Sequence, residues 1–210
     1  MSTRSATLGV AVSMTSRADP DQHLWARLRE ADEHALTALF HRHSDAVYNF
    51  AFRRLSSWSA AEDAVQATFT TLWRRALNGR VDALTLPSAR PLLLVMAGHE
   101  CGNLRRSSRR QSALLDRVST LDPGDEPDPA TATAARLDDE RAMAKVRAVL
   151  DELPTKQREV VELVIWSECS MAEAARALGV PEGTVKSRLA RARRTLAARI
   201  DLGTSQEETA

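Results

Sequence analysis

Aromatic residues make up only 4% of this 210-residue chain. Runs that alternate Val, Ile, Thr and Tyr with polar residues are absent, so nothing reads as a β-strand. Two cysteines, Cys101 and Cys169, are too few and too scattered for a disulfide framework or a four-thiolate zinc site. They fit a reducing, cytoplasmic setting as small packing residues. No apolar run approaches the ~18 residues of a membrane span, and the longest, Leu92 to Ala97, is core-sized, so membrane insertion is not expected. Near the N-terminus Arg4 precedes short apolar pieces broken by Ser and Thr, a poor signal peptide. Residues 1–22 therefore read as a mobile tail. An excess of either charge is also missing. Twenty-nine Lys and Arg against 28 Asp and Glu leave +1, whereas nucleic-acid binders usually show a basic balance.

Signatures of catalysis are missing too. His41 and His43 are two apart, so on a helix they diverge and cannot chelate one ion as an i, i+4 pair would. His99-Glu100-Cys101 has no second ligand cluster at metal-site spacing. No phosphate-binding loop or Gly-Xaa-Ser-Xaa-Gly elbow occurs. These absences argue against an enzyme, and no metal or other cofactor is expected.

What is present is helical periodicity. Leu36, Leu39, Phe40, Val47, Phe50, Ala51 and Leu55 fall at steps of three and four, the stripe of a core-facing helix. Ser59-Ala60-Ala61-Glu62 reads as a capping box opening a second helix. Val65, Phe69, Leu72 or Trp73, and Ala76 or Leu77 continue it to a stop at Asn78-Gly79. A third helix is predicted from Pro91 through Leu92–Ala97 to Arg105 and Arg106.

Composition then shifts. Residues 122–129 read DPGDEPDP, whose three prolines and clustered acids cannot continue a helix. Between Asp116 and Glu140 eight acids face two arginines, a net −6. Helical signal returns with Leu137, Met143 or Ala144, Val146, Val149 and Leu150, closing before Pro154. Val160, Val161, Val164 and Ile165 mark the next helix, ending near Ser167. The expected fold is all-α: two small helical domains, 23–110 and 140–201, joined by a flexible acidic linker over 111–139. A C-terminal tail follows at 202–210.

Ser170 to Leu196 has the parts of a helix-turn-helix. Ser170-Met171-Ala172-Glu173 is a second capping box, and a short helix ends at Gly179, where glycine accepts a left-handed conformation at little cost. Val180-Pro181-Glu182 turns the chain into a helix with Val185, Leu189, Ala192, Leu196 and Ile200 on one face. Its other residues include Lys186, Arg188, Arg191, Arg193, Arg194 and Arg199 against Glu182 alone, a local +5. A helix of this kind enters the major groove. Lys186, Ser187, Ala190 and Arg191 project outward as base readers. Thr184, Arg188, Arg193 and Arg194 suit phosphates, which fix register.

The stretch Leu153 to Leu196, with GTVKSRLARAR from Gly183 to Arg193, resembles region 4 of the sigma-70 family, extracytoplasmic-function type. FHRHSDAVYNFAFRRL and AEDAVQATFTTLWRRA in the front half resemble regions 2.1 and 2.2. Together the two stretches cover about 150 of the 210 residues. The resemblance implies a protein that binds core RNA polymerase and promoter DNA, region 4 reading the −35 element and region 2 reading and opening the −10 element. It places Asp63, Gln66, Phe69 and Trp73 on or behind the polymerase contact, and it implies an anti-sigma factor as a further partner. The −10 reader departs from the family pattern: Leu92 replaces a tryptophan, His99 an asparagine and Asn103 an aspartate. His99, Asn103, Arg105 and Arg106, with Arg109 and Arg110 beyond, still form a basic stripe able to attract phosphate. The resemblance also threads the acidic linker near the polymerase active site and along the RNA exit path, and its negative charge would let it occupy a basic channel there until RNA displaces it.

Two other readings compete. A helix-turn-helix regulator could bind an operator without polymerase, and only the front half argues against it. A module that sequesters another regulator fits the basic final helix less well.

Overall fold

The structure, a computed structural model, describes the backbone of residues 19–118 and 131–207, with side chains described for 19–111 and 134–198. Residues 1–18, 119–130 and 208–210 lie outside the described residues. Most of the expected N-terminal tail and the proline-rich heart of the expected linker are therefore not described. The described residues are all-helical: α1 (Asp21–Arg29), α2 (Glu33–Leu55), α3 (Trp58–Leu77), α4 (Arg90–Val118), α5 (Thr131–Asp151), α6 (Thr155–Val161), α7 (Met171–Leu178) and α8 (Glu182–Glu207). One widened turn, Glu162–Trp166, continues α6 with π-type bonding.

In the front half α2, α3 and α4 pack on one another, and α1 lies against α2 and α3. Leu39, Val47 and Phe50 from α2 meet Phe69 and Leu72 from α3 and Leu93, Leu94 and Ala97 from α4. Each fully buried side chain of this size contributes about 1.5–3 kcal/mol relative to exposure. Leu92 is only half-buried, so Leu93 and Leu94 fill the core beneath the position where the family pattern has tryptophan.

Helix α1 was not expected, and its first residue explains why it matters. Asp21 is 5% exposed and accepts hydrogen bonds from Arg42 Nη1 (2.6 Å), His43 Nε2 (2.8 Å), Ser88 Oγ (2.8 Å) and the Ala89 amide (2.7 Å). Burial alone would raise its carboxyl, but the bonds from His43, Ala89, Arg42 and Ser88 win and hold it well below the usual carboxylate range. One carboxylate thus ties α1, α2 and the entry to α4 together. His43, weighed above as a ligand, is a buried structural histidine in that cluster, while His41 is exposed.

Two other expectations shift. The cap of α3 is Ser57, whose hydroxyl accepts from the Ala60 amide, rather than Ser59. Helix α4 continues past Arg106 to Val118, and α5 opens at Thr131, inside the span read as linker. The Ala-rich run from Thr131 to Ala135 carries enough helix propensity to extend α5 backwards from its packed end.

The rear half stacks α6 and α7 on α8. Val160, Leu163, Ala174, Val185, Leu189 and Ala192 close its core. The Ser170 box forms as read: Ser170 Oγ accepts from the Glu173 amide at 3.2 Å, and Glu173 Oε2 accepts from the Ser170 amide at 2.8 Å. Gly179 takes φ 63°, and the amides of Gly179 and Val180 bond back to Arg176 and Ala175 carbonyls, closing the helix as a left-handed cap does.

Candidate nucleic-acid interface

Helix α8 presents the face expected of it. Val185, Leu189 and Ala192 are buried, and Lys186, Ser187, Ala190, Arg191, Arg193 and Arg194 are exposed on the other side. Thr184 and Arg188 are half-buried at the flank. Among the described residues no carboxylate pairs with Lys186, Arg188, Arg191, Arg193 or Arg194. Five cations between Lys186 and Arg194 without a paired carboxylate among the described residues leave their neutralisation to an external polyanion.

The second basic helix differs. On α4, His99, Asn103 and Arg106 fall on one exposed face at steps of four and three. Asn103 is held from both sides: its Nδ2 donates to Glu100 Oε2 (3.0 Å) and its Oδ1 accepts from Arg106 Nη2 (2.6 Å). Glu100 also accepts from Thr71 Oγ1 on α3 at 3.0 Å. Arg109 and Arg110 extend the exposed basic end. Arg105 does not join this face. Its guanidinium donates twice to Asp151, Nη1 to Oδ1 at 2.9 Å and Nη2 to Oδ2 at 2.6 Å. Sequence spacing put Arg105 with the other three, but its helical angle turns it toward the rear half.

Asp151, the last residue of α5, also accepts from Arg158 Nη1 at 2.6 Å and lies 3.8 Å from Arg147 Nε. Burial works to raise its carboxyl, yet Arg105, Arg158 and Arg147 hold it below the usual range. Deeper in, Arg54 Nη1 of α2 reaches Glu162 Oε2 at 2.6 Å, with both side chains under 10% exposed. Burial pushes the Glu162 carboxyl up to about 7, against the pull of Arg54 and Arg158. Gly98 leaves the space this contact needs, since a Cβ there would stand 2.9 Å from Arg54 Nη1. A small cavity borders the pair, lined by Phe50, Leu94, His99, Leu163 and Leu178 among others.

The expected polymerase contacts divide. Asp63 and Gln66 are exposed on α3, and Trp73 is half-buried beside them. Phe69 is only 5% exposed and packs edge-on against Phe40, ring centres 4.9 Å apart. It stands behind such a contact, and Phe40, 38% exposed, is the aromatic at the surface. Periodicity had assigned Phe40 to the core. Trp58, at the head of α3, was also missed. It stacks on Phe52 at 3.9 Å, and its amide donates to Glu140 Oε1 of α5 at 2.8 Å. Among the described residues no cluster of three or more His, Cys, Asp or Glu could hold a metal, and no helix is long and apolar enough to cross a membrane.

Comparison with known proteins matches both halves. A profile described as "Sigma-70 region 2" covers residues 39–110, and one described as "Sigma-70, region 4" covers 143–196. The chain is 35% identical over 179 residues to the ECF RNA polymerase sigma factor SigM of Mycobacterium tuberculosis, spanning 84% of this chain and 83% of SigM. It is 32% identical over 181 residues to the RNA polymerase sigma factor NccH of Alcaligenes xylosoxydans xylosoxydans, spanning 85% and 93%. Among solved structures it is similar to CnrH, solved in complex with the cytosolic domain of CnrY. That likeness has a TM-score of 0.60 at 26% identity and covers 88% of this chain and 99% of CnrH.

Proposed function

Because this chain belongs to the sigma-70 family of RNA polymerase sigma factors, in its extracytoplasmic-function branch, we propose that its two basic helices divide promoter reading between them. The protein binds core RNA polymerase and directs promoter-specific initiation. Sigma factors supply recognition, so this chain itself carries out no catalysis and works in the cytoplasm. Helix α8 reads the −35 element through Lys186, Ser187, Ala190 and Arg191, with Thr184, Arg188, Arg193 and Arg194 on phosphates. Helix α4 reads the −10 element through His99, Asn103 and Arg106, with Arg105 joining once it is freed. Asp63, Gln66 and Trp73, backed by Phe69, meet the polymerase. Residues 39–110 form the first functional unit and 143–196 the second, with the acidic segment as tether. CnrH, bound by the cytosolic domain of CnrY, supports an anti-sigma partner for this chain as well.

One observation carries this reading: the unpaired basic face of α8 lies on a helix-turn-helix inside the region 4 match. An operator-binding regulator would need no polymerase-facing front half, and the region 2 match disfavours it. The test is reconstituted transcription. The purified chain with core polymerase should initiate from a defined set of promoters that core alone ignores. DNA binding that neither needs nor recruits core would instead support the regulator.

A further inference from the structure

Asn103 lies on the exposed face of α4 with its side-chain amide held in one orientation, and the group that holds it most firmly is Glu100. The two sides of such an amide are opposite in sense, since Nδ2 carries two donors and Oδ1 two acceptor sites. A half-turn about the Cβ–Cγ bond exchanges them, so an unrestrained asparagine offers either pattern at the same place. Here Nδ2 donates to Glu100 Oε2 at 3.0 Å and Oδ1 accepts from Arg106 Nη2 at 2.6 Å. A carboxylate only accepts and a guanidinium only donates. The reverse orientation would therefore set oxygen against oxygen on one side and N–H against N–H on the other.

The two restraints differ in permanence. Arg106 is exposed and is itself assigned to DNA, so its bond to Asn103 competes with that contact. Glu100 is half-buried, and its other oxygen, Oε1, accepts from Thr71 Oγ1 of α3 at 3.0 Å. Thr71 Oγ1 in turn accepts from Arg74 Nη2 at 3.1 Å, which leaves its own hydrogen for Glu100. The carboxylate is thus anchored to the neighbouring helix, and an ionised acceptor makes the stronger kind of hydrogen bond. Asn103 stands where the family pattern has aspartate. An aspartate would only accept and would have no orientation to set; the asparagine has one, and a carboxylate one turn earlier sets it.

One Nδ2 hydrogen and one Oδ1 site are engaged within the protein, which leaves one donor and one acceptor, side by side, on an exposed residue. Such a pair meets the edge of a base through two hydrogen bonds. Adenine and cytosine present an amino donor where guanine and thymine present a keto acceptor. An amide held one way fits one class, and the same amide turned over fits the other. We infer that Glu100 is a positioning residue for −10 recognition: by fixing which way the Asn103 amide faces, it makes Asn103 discriminate amino from keto bases at one position of the element. This rests on the assignment of α4 to the −10 element.

The test is reconstituted transcription by the full chain with core polymerase, on promoters carrying each of the four bases in turn at every −10 position. Wild type should separate the amino pair from the keto pair at one position by about tenfold, within the range of a bidentate base contact. Asn103→Ala should lose that ratio. Glu100→Gln keeps the size and shape of the side chain, but its own amide can turn over and no longer dictates that of Asn103. It should lose most of the ratio at the same position, and it should change nothing further when added to Asn103→Ala. Removing a negative charge from a DNA-facing helix acts on all promoters alike, so only the ratio reports the orientation. Thr71→Val, which frees Glu100 from α3, should lower the ratio in the same direction and by less, and it carries the test should Glu100→Gln fail to fold. A ratio that Glu100→Gln leaves intact would overturn the positioning role while α4 keeps its assignment. If Asn103→Ala and Arg106→Ala both leave every −10 preference unchanged, the assignment of α4 to this element fails, and the positioning role with it.

Discussion

Helices α8 and α4 are both arginine-rich, yet their arginines are in different states. On α8 four exposed cations and the half-buried Arg188 have no carboxylate partner among the described residues. On α4 Arg105 is locked to Asp151 and Arg106 is bonded to Asn103. Equal composition therefore does not mean equal availability. One helix carries its cations unpaired as folded, and the other has Arg105 and Arg106 already bonded within the protein. The near-neutral total of +1 conceals both surfaces, because stretches of opposite charge offset them, among them the net −6 from Asp116 to Glu140.

The largest expected effect attacks α4 at its root. Asp21→Ala removes the carboxylate that accepts from Ala89 at the entry to α4 and leaves Arg42 and His43 without it. Loss of about 3 kcal/mol of stability is expected, the scale of breaking a buried charge pair, read from denaturant unfolding. The same residue sets an acid limit. Its carboxyl is depressed in the folded state, so its contribution is present above the ordinary carboxylate range and is lost as pH falls below it. An Asp21→Ala protein as stable as wild type at neutral pH would remove this anchor.

Next in size is α8. Arg191→Ala should weaken recognition of the −35 element by about 1–3 kcal/mol and relax base preference at one position. Promoter variants assayed with wild-type and substituted protein check this, and equal discrimination would exclude Arg191 as a base reader.

The contact between the halves should respond to pH. The Glu162 carboxyl is raised by burial to about 7, above its ordinary 4.5. Its contribution to the packing of the two halves is therefore complete below about 4.5 and is lost as pH rises through about 7. Stability in denaturant unfolding should rise from pH 8 to pH 6, both values being about one unit from that midpoint. Arg54 from α2, His99 and Cys101 from α4, and Asp151, Arg158 and Glu159 from the rear half surround the group. Glu162→Gln, which removes the titrating carboxyl, is the control. The slope should flatten in that variant, and a slope unchanged by it would contradict the assignment to Glu162.

Smallest is a change at a phosphate contact. Arg194→Gln should weaken DNA binding evenly across sequences and lower the salt slope by about 1. A sequence-dependent loss would move Arg194 among the base readers.

How much was legible beforehand follows the range of the interactions. The Ser170 box, the left-handed Gly179 and the buried stripe of α8 depend on neighbours three or four residues away, so the chain announces them. Ser57 and Ser59 could each cap α3 on local grounds, and the stacking of Trp58 on Phe52 sets the helix start that favours Ser57. Helix α1 escaped notice because the partners that give Asp21 its role lie 21 to 68 residues away. The same holds for Arg105, whose partner is 46 residues distant, and for Arg54, whose partner is 108. A sequence shows that an arginine is present; only the fold shows which carboxylate already holds it. Phe40 left the core for a related reason, since it and Phe69 both fit the apolar period and packing alone decides which lies beneath.

The division of reading between the two helices is tested most directly by crossing protein and promoter variants in reconstituted transcription. Arg191→Ala and Arg106→Ala would each be measured on promoters altered singly at the −35 or the −10 element. The account predicts that Arg191→Ala loses discrimination only at −35 and Arg106→Ala only at −10, with additive losses in the double variant. Loss of discrimination at the same element from both substitutions, or at neither, would contradict it.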